Sequence, residues 1–220
     1  MDLAFVLLEE PVAPDPQLVI DTARQYGVEL AIGKGKANVS TFEFAEGGSI
    51  YVAMMAAPHP DVPKMAFGPT SPDRDAALAA KAHYVITAMW KQEDHRIRDA
   101  MLARVVAAVV AASPAVGAML GVGVLFHQAK LFTALAEGYA AGELPVEVCV
   151  DVTIAPEDDD RMSFLTHGMA RYGREEFFVT ASRTGQGAMS FVYTMVKWML
   201  ADTDKQLATG ATVGRDADEK

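Results

Sequence analysis

The sequence predicts a mixed α+β protein with largely antiparallel sheets and about five helices. Three observations lead there. Strand-like runs follow one another without an intervening helix, as Val39–Phe44 and Ser49–Met54 do around the turn Glu46-Gly47-Gly48, the pattern of a hairpin. Helical stripes stand elsewhere, clearest where Ile97, Met101, Val105 and Val109 repeat every four residues. The order of these elements contains no run of regular strand–helix–strand units, which a parallel sheet would need.

Taken in order, Leu3–Leu8 is a short apolar run of the kind buried sheets use, stopped by Pro11, Pro14 and Pro16. Asp15 caps a helix carrying Leu18, Val19, Ala23 and Tyr26 and closing at Gly27. The hairpin follows, and then Pro58, Pro60, Pro63, Pro69 and Pro72 mark a surface connection with little regular structure. Ser71-Pro72-Asp73 opens a short helix over the alanines to Ala82, and Tyr84–Trp90 is a strand. Gln92–Ala112 is the longest helix, with Glu93 and Asp94 expected in its first turn. After the break at Ser113-Pro114, Val116–Phe126 reads as a strand, Gln128–Ala141 as a helix closed by Gly142, and Leu144–Ile154 as a strand. Asp158-Asp159-Asp160 is a polar turn, Glu176–Thr180 a strand, and Met189, Val192, Val196 and Leu200 stripe a final helix. Residues 1–200 are thus expected to form one domain, with 1–90 and 91–200 as candidate similar halves, and 201–220 a polar acidic tail.

Composition limits the function classes. The chain has 220 residues, 51% of them hydrophobic, and a formal net charge of −10. A polyanion is repelled at long range, so nucleic acid is not an expected partner and a basic protein is the natural one. Cys149 is the only cysteine, which excludes an intrachain disulfide and suits a reducing cytoplasm. Val105–Phe126 is uncharged for 22 residues, long enough to span a bilayer. Its Ala and Gly content and the central Pro114 favour instead a buried helix end followed by a strand, so no membrane partner is expected.

Motifs for chemistry are sparse, and neither a cofactor nor a metal site is expected. Gly33-Lys34-Gly35-Lys36 lacks the spacing of a phosphate loop and reads as a basic turn. Thr184-Gly185-Gln186-Gly187 reads as a helix start. His59, His83, His95, His127 and His167 are scattered without the paired spacing of a zinc site. His95 and Asp99, four apart, read as a solvated pair. The most unusual feature is electrostatic: between Lys130 and Arg161 there is no Lys or Arg, while Glu137, Glu143, Glu147, Asp151, Glu157, Asp158, Asp159 and Asp160 are all acidic. Its bland reading is a solvated, solubilising face. Its functional reading is a surface that steers a cationic partner, with Glu157, Asp158, Asp159 and Asp160 as contact residues.

The stretch Leu165-Thr166-His167-Gly168-Met169-Ala170-Arg171-Tyr172-Gly173-Arg174-Glu175-Glu176-Phe177 resembles the Thr-x-Gly-Leu/Met…Phe-Gly-x-x-Glu signature of the bacterial domain-of-unknown-function family numbered 4261. The opening Ala4–Leu8, the segment Ala82–Ile86 and the closing Thr212-Val213-Gly214 are similar to it as well. That family is defined by sequence, so the resemblance implies no activity. Within the stretch, Gly168 and Gly173 suit tight turns, Tyr172 suits a core, and Glu176 suits a cap or an ion pair.

Two functions are carried forward. The first is a non-catalytic cytoplasmic binding protein, immunity-like, that neutralises a basic effector through its acidic surface. The alternative is a small-ligand protein or enzyme with a pocket under the Pro-rich loop 58–72, using His83, His167, Arg171 and Glu175. Homo-oligomer formation stays open, because a core stripe and an interface stripe read alike in sequence.

Overall fold

The computed structural model describes residues 2–36, 38–121, 123–140, 142–182, 187–201 and 210. The chain runs β1 (Asp2–Leu8), α1 (Pro16–Gln25), β2 (Leu30–Ile32), β3 (Val39–Phe44), β4 (Gly48–Met55), α2 (Arg74–Leu78), β5 (Ala82–Trp90), α3 (His95–Ala111) and β6 (Ala115–Leu120). It continues through β7 (His127–Gln128), α4 (Ala129–Gly138), α5 (Val146–Cys149), β8 (Asp151–Pro156), β9 (Arg161–His167), β10 (Phe178–Ser182) and α6 (Ala188–Ala201). Single 3-10 turns lie at Val62–Lys64 and Met169–Tyr172. The α+β class is therefore as expected, and every strand pair between named strands is antiparallel.

Seven strands form one sheet in the order β2-β3-β4-β5-β1-β6-β7, and three form a second in the order β10-β9-β8. Alternation decides which side of the large sheet is which. Ala4, Val6 and Leu8 of β1 and Ala82, Tyr84, Ile86 and Ala88 of β5 face α1, α3 and α4 in the main core. Leu7 and Met119 point the other way, into a smaller core closed by Val62, Ala77, Ala80 and Phe126. Helix α3 is buried on nearly all sides from Ala100 to Val110, which explains its lack of a polar face. The small sheet packs one face on α6, where Val152 and Phe164 meet Val192 and Val196.

Local chemistry sets the helix ends. Asp15 Oδ1 accepts the backbone N–H groups of Gln17 and Leu18 at 2.9 and 3.3 Å, with Pro16 in the first helical position. Asp73 and Asp94 cap α2 and α3 in the same way. Asp94 is thus the cap of α3, and neither it nor Glu93 lies in the first turn.

Val105–Phe126 breaks at Ser113-Pro114 into the end of α3 and strand β6, and among the described residues no helix is long and apolar enough to cross a membrane. Other expectations need correction. Val116–Phe126 is strand only to Leu120, and the segment after it is a loop. Leu144–Ile154 is not one strand: Pro145 starts the single turn α5, and extended backbone begins at Val150. Strand β9 went unread because its apolar residues are diluted by Arg161, Ser163, Thr166 and His167. Strands β6 and β7 join β1 in the large sheet, so candidate halves divided at residue 90 share one sheet. Most of the predicted tail 201–220 lies outside the described residues, as do residues 184–186 of the proposed helix start and Thr212-Val213-Gly214.

Candidate functional site

The acidic turn joins β8 to β9. Glu157, Asp158, Asp159 and Asp160 are all exposed, because charges buried without partners would cost far more than charges left in water. Asp158 also organises the turn: its Oδ1 accepts the N–H groups of Asp160 and Arg161 at 2.9 and 2.7 Å, and Oδ2 accepts from Arg161 Nε at 2.7 Å. The Arg161 side chain and these donors hold its carboxyl below the usual carboxylate range. The wider acidic block is not one surface. Asp151 is buried, and Glu147 pairs with Lys197 at 3.0 Å and accepts the Tyr139 hydroxyl at 2.5 Å.

The same small sheet carries an apolar patch. Phe178 of β10 stands opposite Leu165 of β9, which stands opposite Thr153 of β8, on the sheet face turned away from α6. Phe178 is 60% exposed and Leu165 37%. Neither stood out in the sequence, where Phe178 reads only as part of the strand Glu176–Thr180.

The four polar residues proposed for a pocket do not share one set of contacts. His83 is buried on the outer side of β5, its Nδ1 2.8 Å from the Ala57 carbonyl. His167 Nε2 lies 2.9 Å from the Thr153 hydroxyl, on the small sheet. Glu175 is exposed. Arg171 is committed to a buried ion cluster: it donates to Asp99 Oδ2 and Oδ1 at 2.5 and 2.6 Å and to Asp2 Oδ1 at 2.6 Å. Arg98 also binds Asp2, and the Tyr172 hydroxyl donates to Asp99 at 2.8 Å. Asp99 is therefore buried rather than solvated beside His95, which is exposed. This cluster ties β1, α3 and the 3-10 turn Met169–Tyr172 together. Burial pushes the thiol of Cys149 well up, with Asp99 adding to the effect, so it is a poor nucleophile.

Gly168 and Gly173 bracket the 3-10 turn at φ 115° and 70°, in the left-handed region that side chains avoid. Glu176 Oε1 accepts the N–H groups of Gly168 and Ala170 at 2.8 and 3.3 Å, at the start of that turn.

Under the Pro-rich loop, where the alternative reading places its pocket, aromatic rings pack together. His59 packs edge-on against Phe5, His83 and Phe126, with ring centroids 4.9, 5.0 and 5.5 Å apart. Beside this cluster, a chain of hydrogen bonds runs Thr70 Oγ1 to His127 Nδ1 (2.9 Å) and His127 Nε2 to Asp151 Oδ1 (2.8 Å). Asp151 Oδ2 accepts the N–H groups of Val124 and Leu125. An ionised carboxylate only accepts, so His127 Nε2 carries the proton and Nδ1 accepts from the threonine. Sequence reasoning missed this trio, whose members are 57 and 24 residues apart. One signal was present: Asp151 stands between Val150 and Val152, and a carboxylate inside a buried strand needs partners.

An open depression of about 350 Å³ lies elsewhere, lined by Glu46, Gly47, Trp90, Lys91, Gln92, Glu93 and Met101. Among the described residues no group of three or more His, Cys, Asp or Glu side chains is arranged to hold a metal ion. No family model matches the chain, and neither a curated protein nor a solved structure does.

Proposed function

We propose that this is a binding protein, immunity-like, that captures and neutralises a basic protein effector in the cytoplasm. One observation carries the reading: the exposed Phe178–Leu165 pair occupies the face of the small sheet turned away from α6, and the acidic turn Glu157–Asp160 ends the β8–β9 hairpin of that sheet. Protein interfaces combine an aromatic, apolar centre with a polar rim, and truncating a central aromatic residue is typically far more damaging than removing a rim charge. The acids then set the approach. A net charge of −10 and a net negative turn accelerate encounter with a cationic partner, while the apolar pair slows its departure. The buried thiol of Cys149 agrees with a reducing compartment.

The test is an affinity capture from the native cell, repeated at low and high salt. One basic protein should be retained, and its association rate should fall as salt rises. Changing Asp158, Asp159 and Asp160 together to Asn should slow association at low salt and leave dissociation nearly unchanged. Phe178→Ser should do the reverse, raising the dissociation rate by about tenfold or more, the effect of a lost hot-spot side chain. Equal rates for all three proteins would remove this face from the function.

A further inference from the structure

We propose a second, chemical capacity: Thr70 is a nucleophile, activated by His127 and Asp151, that accepts an acyl group from small activated esters. The geometry is that of a hydroxyl, a base and an orienting carboxylate in series. The hydroxyl lies 2.9 Å from the imidazole, and the imidazole 2.8 Å from the carboxylate. Those are the contacts by which a weak alcohol is made reactive.

Burial separates the parts in the way the chemistry needs. His127 and Asp151 are 1% and 2% exposed, so the base and its counter-charge are shielded from water, whereas Thr70 is only half-buried, between Pro69 and Pro72. Asp151 is fixed on its far side by the N–H groups of Val124 and Leu125, which holds the carboxylate and, through it, the ring in one orientation. A second contact fixes the nucleophile itself, since the Thr70 carbonyl accepts the Gln128 N–H at 2.8 Å. The ring is used in the reverse sense to a serine protease, with Nδ1 facing the hydroxyl and Nε2 the carboxylate, and the proton path is equivalent.

The step balances without a cofactor. Thr70 Oγ1 bonds to the acyl carbon as its proton passes to His127 Nδ1. The ester C–O bond breaks, and the departing oxygen keeps the electron pair and takes the proton back from Nδ1. Asp151 stabilises the transient imidazolium, and the products are an acyl-threonine and a free alcohol.

The experiment uses p-nitrophenyl acetate on the full chain, read by nitrophenolate release, intact mass and peptide mapping. Lysines are acetylated as well, and hydroxylamine distinguishes the two products because it removes an ester and leaves an amide. One hydroxylamine-sensitive acetyl group is expected on Thr70. Thr70→Ser should keep it and Thr70→Val lose it, while His127→Gln should slow labelling about a hundredfold or more, as expected for a lost general base. Thr70→Val is the second line of evidence should His127→Gln fail to fold, since it alters a half-buried loop residue. No ester on Thr70 in the wild-type protein, or the same labelling rate in a folded His127→Gln variant, would overturn the proposal and leave the trio as a lock between the Pro-rich loop and β8.

Discussion

Replacing Arg171 with Met isolates the ion cluster that joins the two sheets. In the folded protein Asp99 and Asp2 are 4% and 5% exposed, and Arg171 donates two hydrogen bonds to the first and one to the second. Removing one partner of a buried ion pair costs roughly 3–5 kcal/mol, mostly the penalty of the charge left behind. Arg171 keeps some contact with water, and Asp2 keeps Arg98 while Asp99 keeps the Tyr172 hydroxyl. The low end, about 3 kcal/mol, is therefore expected. For a chain of this length that is a fall in Tm of about 6–12 °C. Arg171→Lys should recover only part of it, because an ammonium cannot reproduce the two-nitrogen fork. Urea unfolding across pH checks the mechanism. Burial pushes the Asp2 carboxyl up, but the Arg171 and Arg98 hydrogen bonds and charges outweigh it, so the folded value lies below the ordinary 3.8. Its stabilising contribution is complete above 3.8 and is lost as pH falls through the lower folded value. The gap between wild type and Arg171→Met should thus be full at neutral pH and shrink in strong acid. A variant melting within about 2 °C of wild type at neutral pH would refute the reasoning.

The parts of the fold that sequence predicts well are those where one local rule acts alone. Asp15-Pro16, Asp73 and Asp94 start helices because a side-chain oxygen ahead of the first turn satisfies its free N–H groups. Ser113-Pro114 ends α3, and Gly27 follows α1 with φ 77°. What sequence did not predict depends on contacts made across the fold. Arg171 reads as a polar loop residue until β1 and α3 bring Asp2 and Asp99 to it. Asp151 reads as one charge in an acidic block, and only the loop after β6 and the short strand β7 show it to be internal. Strand β9 pairs on both sides, so ladder hydrogen bonds rather than a strong apolar pattern hold it. The candidate site divides in the same way. Glu157–Asp160 is legible because four adjacent acids must be solvated, whereas the exposure of Phe178 follows from which face α6 covers, a property of packing order that no local pattern encodes.

The remaining predictions concern the turn and the histidines. Gly168→Val and Gly173→Val should each lower stability by about 1 kcal/mol or more, because both positions have positive φ. Gly168→Val should be the worse of the two, since a Cβ there would meet the Cys149 carbonyl at 3.1 Å while Gly173 has open space; equal melting temperatures would sink that ordering. Acid should destabilise the protein through His59. Burial first, and the neighbouring His83 second, hold its imidazole below the ordinary 6.5, against a weaker opposite effect of Asp61. The unfolded chain therefore takes up a proton below pH 6.5 that the folded protein refuses, so stability is complete above 6.5, declines as pH falls towards the folded value and levels off beneath it. His59→Phe removes the titrating group while keeping a ring against Phe5 and Phe126. It should lose some stability at pH 8, where the His59 Nδ1 bond from the Asp61 N–H is missing, and less of what remains on going to pH 5. The readout is the difference between the urea midpoints at the two pH values. Wild type should show the larger difference, and an equal one would mean that the cluster under the Pro-rich loop opens to solvent before it titrates.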